Sequence, residues 1–172
     1  MADDLVRQSV LDRITGADLI VTGGGGEGRP ARTWQESVEL LERNVLRHLE
    51  HLLNTRQVSD PAGSSHENLA RSLYNYGLLD FSNLSADSAQ TPDEVRRLIK
   101  ESIELFEPRL TDVQVVDPNA DDPQGKDRKL RRTVRFRVEA TLRTDPDPER
   151  VEFDTVLDVT SKRFEVSSDS HA

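Results

Sequence analysis

The sequence predicts an α+β fold: N-terminal helices followed by a small antiparallel sheet of three to four strands. Two observations carry this. Up to Phe106 the apolar residues recur at spacings of three and four, and beyond Val113 they recur at two. Helices that precede strands along a chain belong to the α+β class. The 172 residues suit one domain spanning 1–172. Flexible loops are expected near 16–32, 57–67 and 117–129, and a frayed tail over 167–172.

The first helix is expected from about Asp4 to Ile14, on Leu5, Val6, Val10 and Ile14, with Asp3 or Asp4 as cap and Gly16 as stop. Leu19-Ile20-Val21 can pass for a strand, and a glycine-rich loop follows. The second helix runs from Trp34 to about Asn54. Thr33 and Glu36 form a capping box, and Val38, Leu41, Val45, Leu49 and Leu52 make its apolar stripe. Arg43, Arg47 and Glu50 fall towards solvent. A polar loop over 58–67 gives way to two short helical turns around Leu69, Leu73 and Leu78, broken at Gly77.

The third main helix has Thr91 as cap, Pro92 in the first turn and Glu94 completing the box. Val95, Leu98, Ile99, Ile103 and Phe106 line one side. Pro108 stops it. Strands follow around Val113 and Val115, over Val134–Leu142, over Val151–Val159, and briefly at Phe164 and Val166. Pairing the two long strands on opposite charges sets Arg143 against Glu152, Arg137 against Asp158, Leu142 against Phe153 and Val138 against Leu157. One face of the sheet is expected to be wet.

Composition narrows the function. Hydrophobic residues are 34% and charged residues 32%, and the net charge of −9 argues against a chain-wide nucleic-acid or anionic-membrane binder. No cysteine is present, so no disulfide or thiolate metal site is possible. No apolar run is long enough to span a bilayer, and the acidic Met1–Asp4 start is unlike a signal peptide. A soluble intracellular protein is expected.

Candidate chemistry is sparse. Gly23, Gly25 and Gly28 match a dinucleotide-loop spacing, but Arg29-Pro30 follows where a helix should start, so a linker is expected. His48 and His51 are three apart on one helix, which is half of a metal site at most. Glu101, Glu104, Glu107 and Asp112 gather near one helix end, and 32 acidic residues make such a cluster ordinary. No catalytic residue, cofactor or metal is assigned.

A basic run, Lys126 to Arg132, leads into Arg135, Arg137 and Arg143. These either meet an acidic partner or balance Glu152, Asp154 and Asp158 across the sheet. The most informative local feature is Glu107-Pro108-Arg109, a proline corner between helix and strand. It either presents a charged pair to a partner, or Arg109 satisfies the last carbonyls of the helix.

Four segments in order resemble one family: Asn44–Arg56, Ser72–Ser82, Phe106–Leu110 with Val113 and Val115, and Val151–Thr155 with Leu157-Asp158. They resemble the lysozyme-like baseplate wedge proteins of contractile tails, in the TssE-type branch of type VI secretion systems. Departures fall in loops, at Leu79 and Gln57 and in the longer glycine run and Asp117–Asp127 loop. The resemblance implies a non-enzymatic subunit that joins the wedge proteins TssF, TssG and TssK to the sheath proteins TssB and TssC. It implies that Glu107, Pro108 and Arg109 make wedge contacts, and that strand addition at the sheet edge helps start the sheath, with Arg132–Thr144 and Arg150–Thr160 as candidate strands. It places the protein in the cytoplasm, at a baseplate docked on the inner membrane, without membrane insertion or nucleic acid. The rivals are an adaptor of the same fold and a peptidoglycan hydrolase.

Overall fold

The computed structural model describes residues 5–6, 8–14, 19–20, 29–31, 33–58, 66–79, 91–118, 133–145 and 147–168. The expected features at Asp3, Asp4, Gly16, the glycine run, the basic run 126–132 and the tail beyond Ser168 lie outside these residues.

Helix α1 is Val10–Ile14, shorter than the expected Asp4–Ile14. Ser9 starts it: the Asp12 amide donates to Ser9 Oγ at 3.1 Å, and Ser9 Oγ donates to the Asp12 carboxylate at 2.6 Å. Val6 lies ahead of the helix and donates its amide to Ser37 Oγ at 3.1 Å. Two-residue strands β1 (Leu19–Ile20) and β2 (Arg29–Pro30) pair antiparallel.

Helix α2 is Trp34–Asn54, opened by the Thr33–Glu36 capping box. Its stripe is buried, with Val45, Leu49 and Leu52 at most 2% exposed. Arg43 faces solvent, whereas Arg47 and Glu50 are half-buried. A short helix α3 (Glu67–Ala70) and a 3-10 turn (Leu73–Asn75) stand where two turns are expected. Leu73 is not among the buried side chains: it is 83% exposed. Gly77 has φ +119°, and a Cβ there would sit 2.5 Å from the Thr55 carbonyl oxygen. That close approach lets Leu78 donate to Thr55 O at 2.8 Å and Gln57 to Leu78 O at 3.0 Å.

Helix α4 is Thr91–Phe106, starting at the residue expected to cap it. Val95, Ile99 and Ile103 are buried, and Lys100–Glu104 and Arg97–Glu101 pair along the exposed side.

Four antiparallel strands follow in sequence order: β3 (Leu110–Val116), β4 (Thr133–Leu142), β5 (Glu149–Asp158) and β6 (Arg163–Ser168). The last runs to Ser168, so Ser167 and Ser168 belong to the sheet and not to a frayed tail. One sheet face packs on α2 and α4. Phe136, Val138, Leu142, Phe153 and Phe164 are almost fully buried there. Each such side chain contributes about 1.5–3 kcal/mol through burial. A bulge between Thr111 and Gln114, with Asp112 at φ 54°, keeps both Leu110 and Val113 facing inwards.

The register of β4 and β5 differs from the expected one. Val138 lies opposite Phe153, Arg137 opposite Asp154, and Leu142 opposite Glu149; Arg143 lies beyond the last pair. The slip is of four residues, so the inward face is preserved. It shortens the connecting loop to 143–148 and sets Glu139 opposite Glu152. Half-exposed like charges cost a few tenths of a kcal/mol, less than a longer loop and lost core pairs.

Candidate functional site

The corner after α4 is built by backbone geometry first. Glu107 N–H closes the last helical bond to Ile103 O at 2.8 Å, and Leu110 N–H turns back onto Glu107 O at 3.1 Å. Pro108 has no N–H to extend the helix. Glu107 and Arg109 are thereby folded onto each other. Arg109 Nε donates to Glu107 Oε1 and Arg109 Nη2 to Glu107 Oε2, both at 2.6 Å. This is a bidentate, charge-assisted fork.

Two distant segments complete the cluster. Arg109 Nη2 also reaches His48 Nδ1 on α2 at 2.5 Å. His48 Nε2 lies 3.3 Å from Asp12 Oδ1 on α1, and Arg109 Nη1 lies 3.7 Å from Asp12 Oδ2. Asp12 is 1% exposed and Glu107 4%, while Arg109 and His48 side chains are 21% and 26% exposed. Since Nδ1 accepts from a guanidinium, the network assigns the His48 proton to Nε2, facing Asp12. Burial lowers the His48 pKa and the Arg109 charge lowers it further, against the opposing pull of Asp12 and Glu107. A separate set of bonds also ties α2 to the N-terminal segment: Asn44 Nδ2 donates to Gln8 Oε1 at 3.0 Å, and Arg47 Nη2 to Asn44 Oδ1 at 2.5 Å.

This corrects the helix-carbonyl reading of Arg109 and changes the form of the charged pair. Arg109 does not bond the carbonyls of its helix, and the Glu107–Arg109 pair turns inwards instead of standing out as a bare charged pair. The exposed parts of the corner are Pro108 and Arg143. Arg143 N–H donates to Arg109 O at 2.8 Å, and its Nη1 reaches Pro108 O at 3.4 Å. Of the other basic residues, Arg137 bonds Asp154 at 2.9 Å and lies 3.9 Å from Glu152, across the sheet. Arg135 is exposed on the same face. The structure thus brings Arg143 to the corner and leaves Arg135 and Arg137 on the wet face.

Asp12 is the member that sequence reasoning passes over, and His48 is singled out there only as half of a metal site. Asn44 and His48 stand four apart beside the apolar stripe of α2, which is a faint signal of a polar inward edge. Asp12 gives none, because α1 turns its carboxylate inwards while Val10 and Ile14 are 70% and 77% exposed. Among the described residues no three His, Asp or Glu side chains are grouped to hold a metal ion. His51 is exposed near the end of α2.

A family model described as baseplate wedge protein gp25 matches residues 39–147, well over half of the chain. The chain belongs to the gp25 baseplate wedge family. No curated protein matches it. The gp25 match takes in most of α2, all of α4, the Glu107–Arg109 corner, β3 and β4, but Asp12 and the whole N-terminal segment lie outside it. Membership of the gp25 family gives the chain a structural part in the baseplate of a contractile tail system, in contact with other baseplate components. No described helix of this gp25-family chain is long and apolar enough to cross a membrane.

Proposed function

We propose that the protein is a TssE-type, non-enzymatic subunit of a type VI secretion baseplate. It joins a wedge of TssF, TssG and TssK to the sheath of TssB and TssC and helps start sheath assembly, in the cytoplasm at the inner-membrane-docked baseplate. The observation that carries this reading is the span of the family match, which includes the whole helix–corner–strand unit around Glu107, Pro108 and Arg109. The buried fork makes that corner rigid, so Pro108, Arg143 and the exposed edge of Arg109 form a preshaped contact surface. Arg135 and Arg137 offer a second, basic surface on the wet face.

Edge-strand addition supplies the sheath contact. The candidate strands need revision here: β4 and β5 are interior and already paired on both sides, so the edges are β3 and β6. The hydrolase rival fits poorly. A glycosidase needs two carboxyls facing a bound sugar, whereas Glu107 commits both oxygens to Arg109 and Asp12 is buried against His48.

Affinity capture of the tagged full chain from its native cells, with mass spectrometry of bound proteins, tests the reading. Recovery of several wedge and sheath proteins is expected. Recovery of one unrelated regulator indicates the adaptor, and release of soluble muropeptides by the purified chain indicates the hydrolase.

A further inference from the structure

The described part of the N-terminal segment, residues 5–6 and 8–14, lies along α2 and ends at the corner. The bonds that fix it are polar. Val6 N–H donates to Ser37 Oγ and Gln8 Nε2 to Ser37 O, both at 3.1 Å, and Gln8 Oε1 accepts from Asn44 Nδ2. Asp12 then reaches His48 and Arg109. Among the described residues, Val6 is the one apolar side chain of the segment packed against the core, while Val10 and Ile14 stand exposed. Hydrogen bonds that exchange for water on release add little net stability each. A five-residue helix such as α1 is too short to hold its own shape. The buried apolar cluster is drawn from α2, Leu78, α4 and the four long strands, so it stays intact when the segment lifts.

What the segment covers is the polar edge of α2 and the inner side of the corner. Ser37 and Asn44 are buried beneath it. Glu107 takes Nε and Nη2 of Arg109, but Nη1 is buried with no hydrogen-bond partner among the described residues. Asp12 Oδ2 lies 3.7 Å from Nη1, which is beyond hydrogen-bond reach. The carboxylate of Asp12 thus occupies the free side of the guanidinium without bonding it. Its hold there is electrostatic and loose, in contrast to the tight fork that Glu107 makes.

We infer that residues 5–14 are a self-masking strap closed over the corner, with Asp12 as its catch, and that the strap lifts as a unit to bare Arg109 Nη1, His48 and Asn44. The inference rests on the wedge reading above and adds regulation of that same surface. The outer rim, Pro108 and Arg143, is open at all times. The inner side is open only with the strap up. A wedge partner that uses the inner side selects the lifted state, so its apparent affinity is reduced by the fraction of chains whose strap is closed.

Hydrogen exchange on the full chain reads the strap without any partner. The Val6 amide should exchange roughly a hundredfold faster than a core-strand amide such as that of Val138, at a rate that low urea leaves unchanged, the mark of an opening that exposes little surface. In Asp12→Ala the Val6 amide should exchange about tenfold faster again, with Val138 unaltered. Val6 lies ahead of α1 and bonds Ser37, so it reports lifting of the strap and not fraying of the helix. A Val6 amide that exchanges only with global unfolding, one indifferent to Asp12→Ala, or equal acceleration of Val6 and Val138 overturns the strap. Binding to purified wedge subunits of the same system reads the masking. Asp12→Ala is expected to bind about threefold tighter than wild type or better. Glu165→Gln, which removes one exposed negative charge on β6, should bind as wild type does. Equal gains for both variants, or no gain for Asp12→Ala, overturn the masking. If neither wild type nor Asp12→Ala binds, the wedge reading fails and the masking with it, while the Val6 amide still decides whether the strap lifts.

Discussion

At the scale of single residues, the Arg109 guanidinium serves two buried carboxylates and an imidazole, so its removal takes the bonded counter-charge from Glu107 and a near one from Asp12. Arg109→Ala is expected to cost about 3–5 kcal/mol in urea unfolding, because Asp12 and Glu107 stay buried. Replacing Glu107 and Arg109 together by apolar residues of similar size should cost clearly less than the sum of the single changes, the mark of a coupled pair. An assembly defect of Arg109→Ala is therefore interpretable only beside its melting curve. His48 adds a pH term. Its folded pKa lies below its unfolded one, so the unfolded chain takes up the proton first as pH falls. The stability it supports is complete above the unfolded value of about 6.5 and declines below it. His48→Gln should flatten that part of the stability-against-pH profile measured by chemical unfolding. The corner itself is legible in the sequence because proline after a buried helix dictates a turn. Asp12 is not, since its partners come from segments that periodicity treats as independent.

At the scale of elements, local chemistry forecasts most boundaries well. The Thr33–Glu36 box starts α2 where expected, and Pro108 ends α4. Strand register is harder to read. Pairing β4 and β5 on opposite charges is compatible with the inward pattern, but so is every register differing by two, and only loop length and core fit discriminate among them. The turn after α2 depends on one backbone conformation. Gly77→Ala forces a Cβ onto the Thr55 carbonyl at a φ that L residues rarely adopt. It should destabilise by about 2 kcal/mol or more and lower the melting temperature by roughly 4–8 °C, as calorimetry would record.

Across the whole molecule the net charge is −9, and among the described residues a half-buried acid has a measurable effect. Glu42 on α2 is half-buried, and burial first, then Glu149 and Glu39, raise its pKa. Its ionisation at neutral pH therefore works against the fold. Glu42→Gln should raise the melting temperature at pH 7 by roughly 1–3 °C. That gain should shrink as pH falls to where the native carboxyl is protonated, the opposite direction to the His48 effect. The α+β order was readable because the apolar period changes once along the chain. Which strands became edges was not, since strand order within a sheet depends on packing that no local pattern encodes.

The route by which Asp12 acquires its partners bears on how the chain is made. Asp12 leaves the ribosome early, His48 follows, and Arg109 is added roughly a hundred residues after Asp12. At about 5–20 residues per second, that interval is on the order of 5–20 s. Throughout it, the Asp12 carboxylate lacks its 3.7 Å contact with Arg109 Nη1. The N-terminal segment can meet α2 earlier through Val6, Gln8 and His48, but its docking is complete only when the corner has been translated. A nascent chain halted before Arg109 should leave the segment 8–14 more open to protease than one halted well past it.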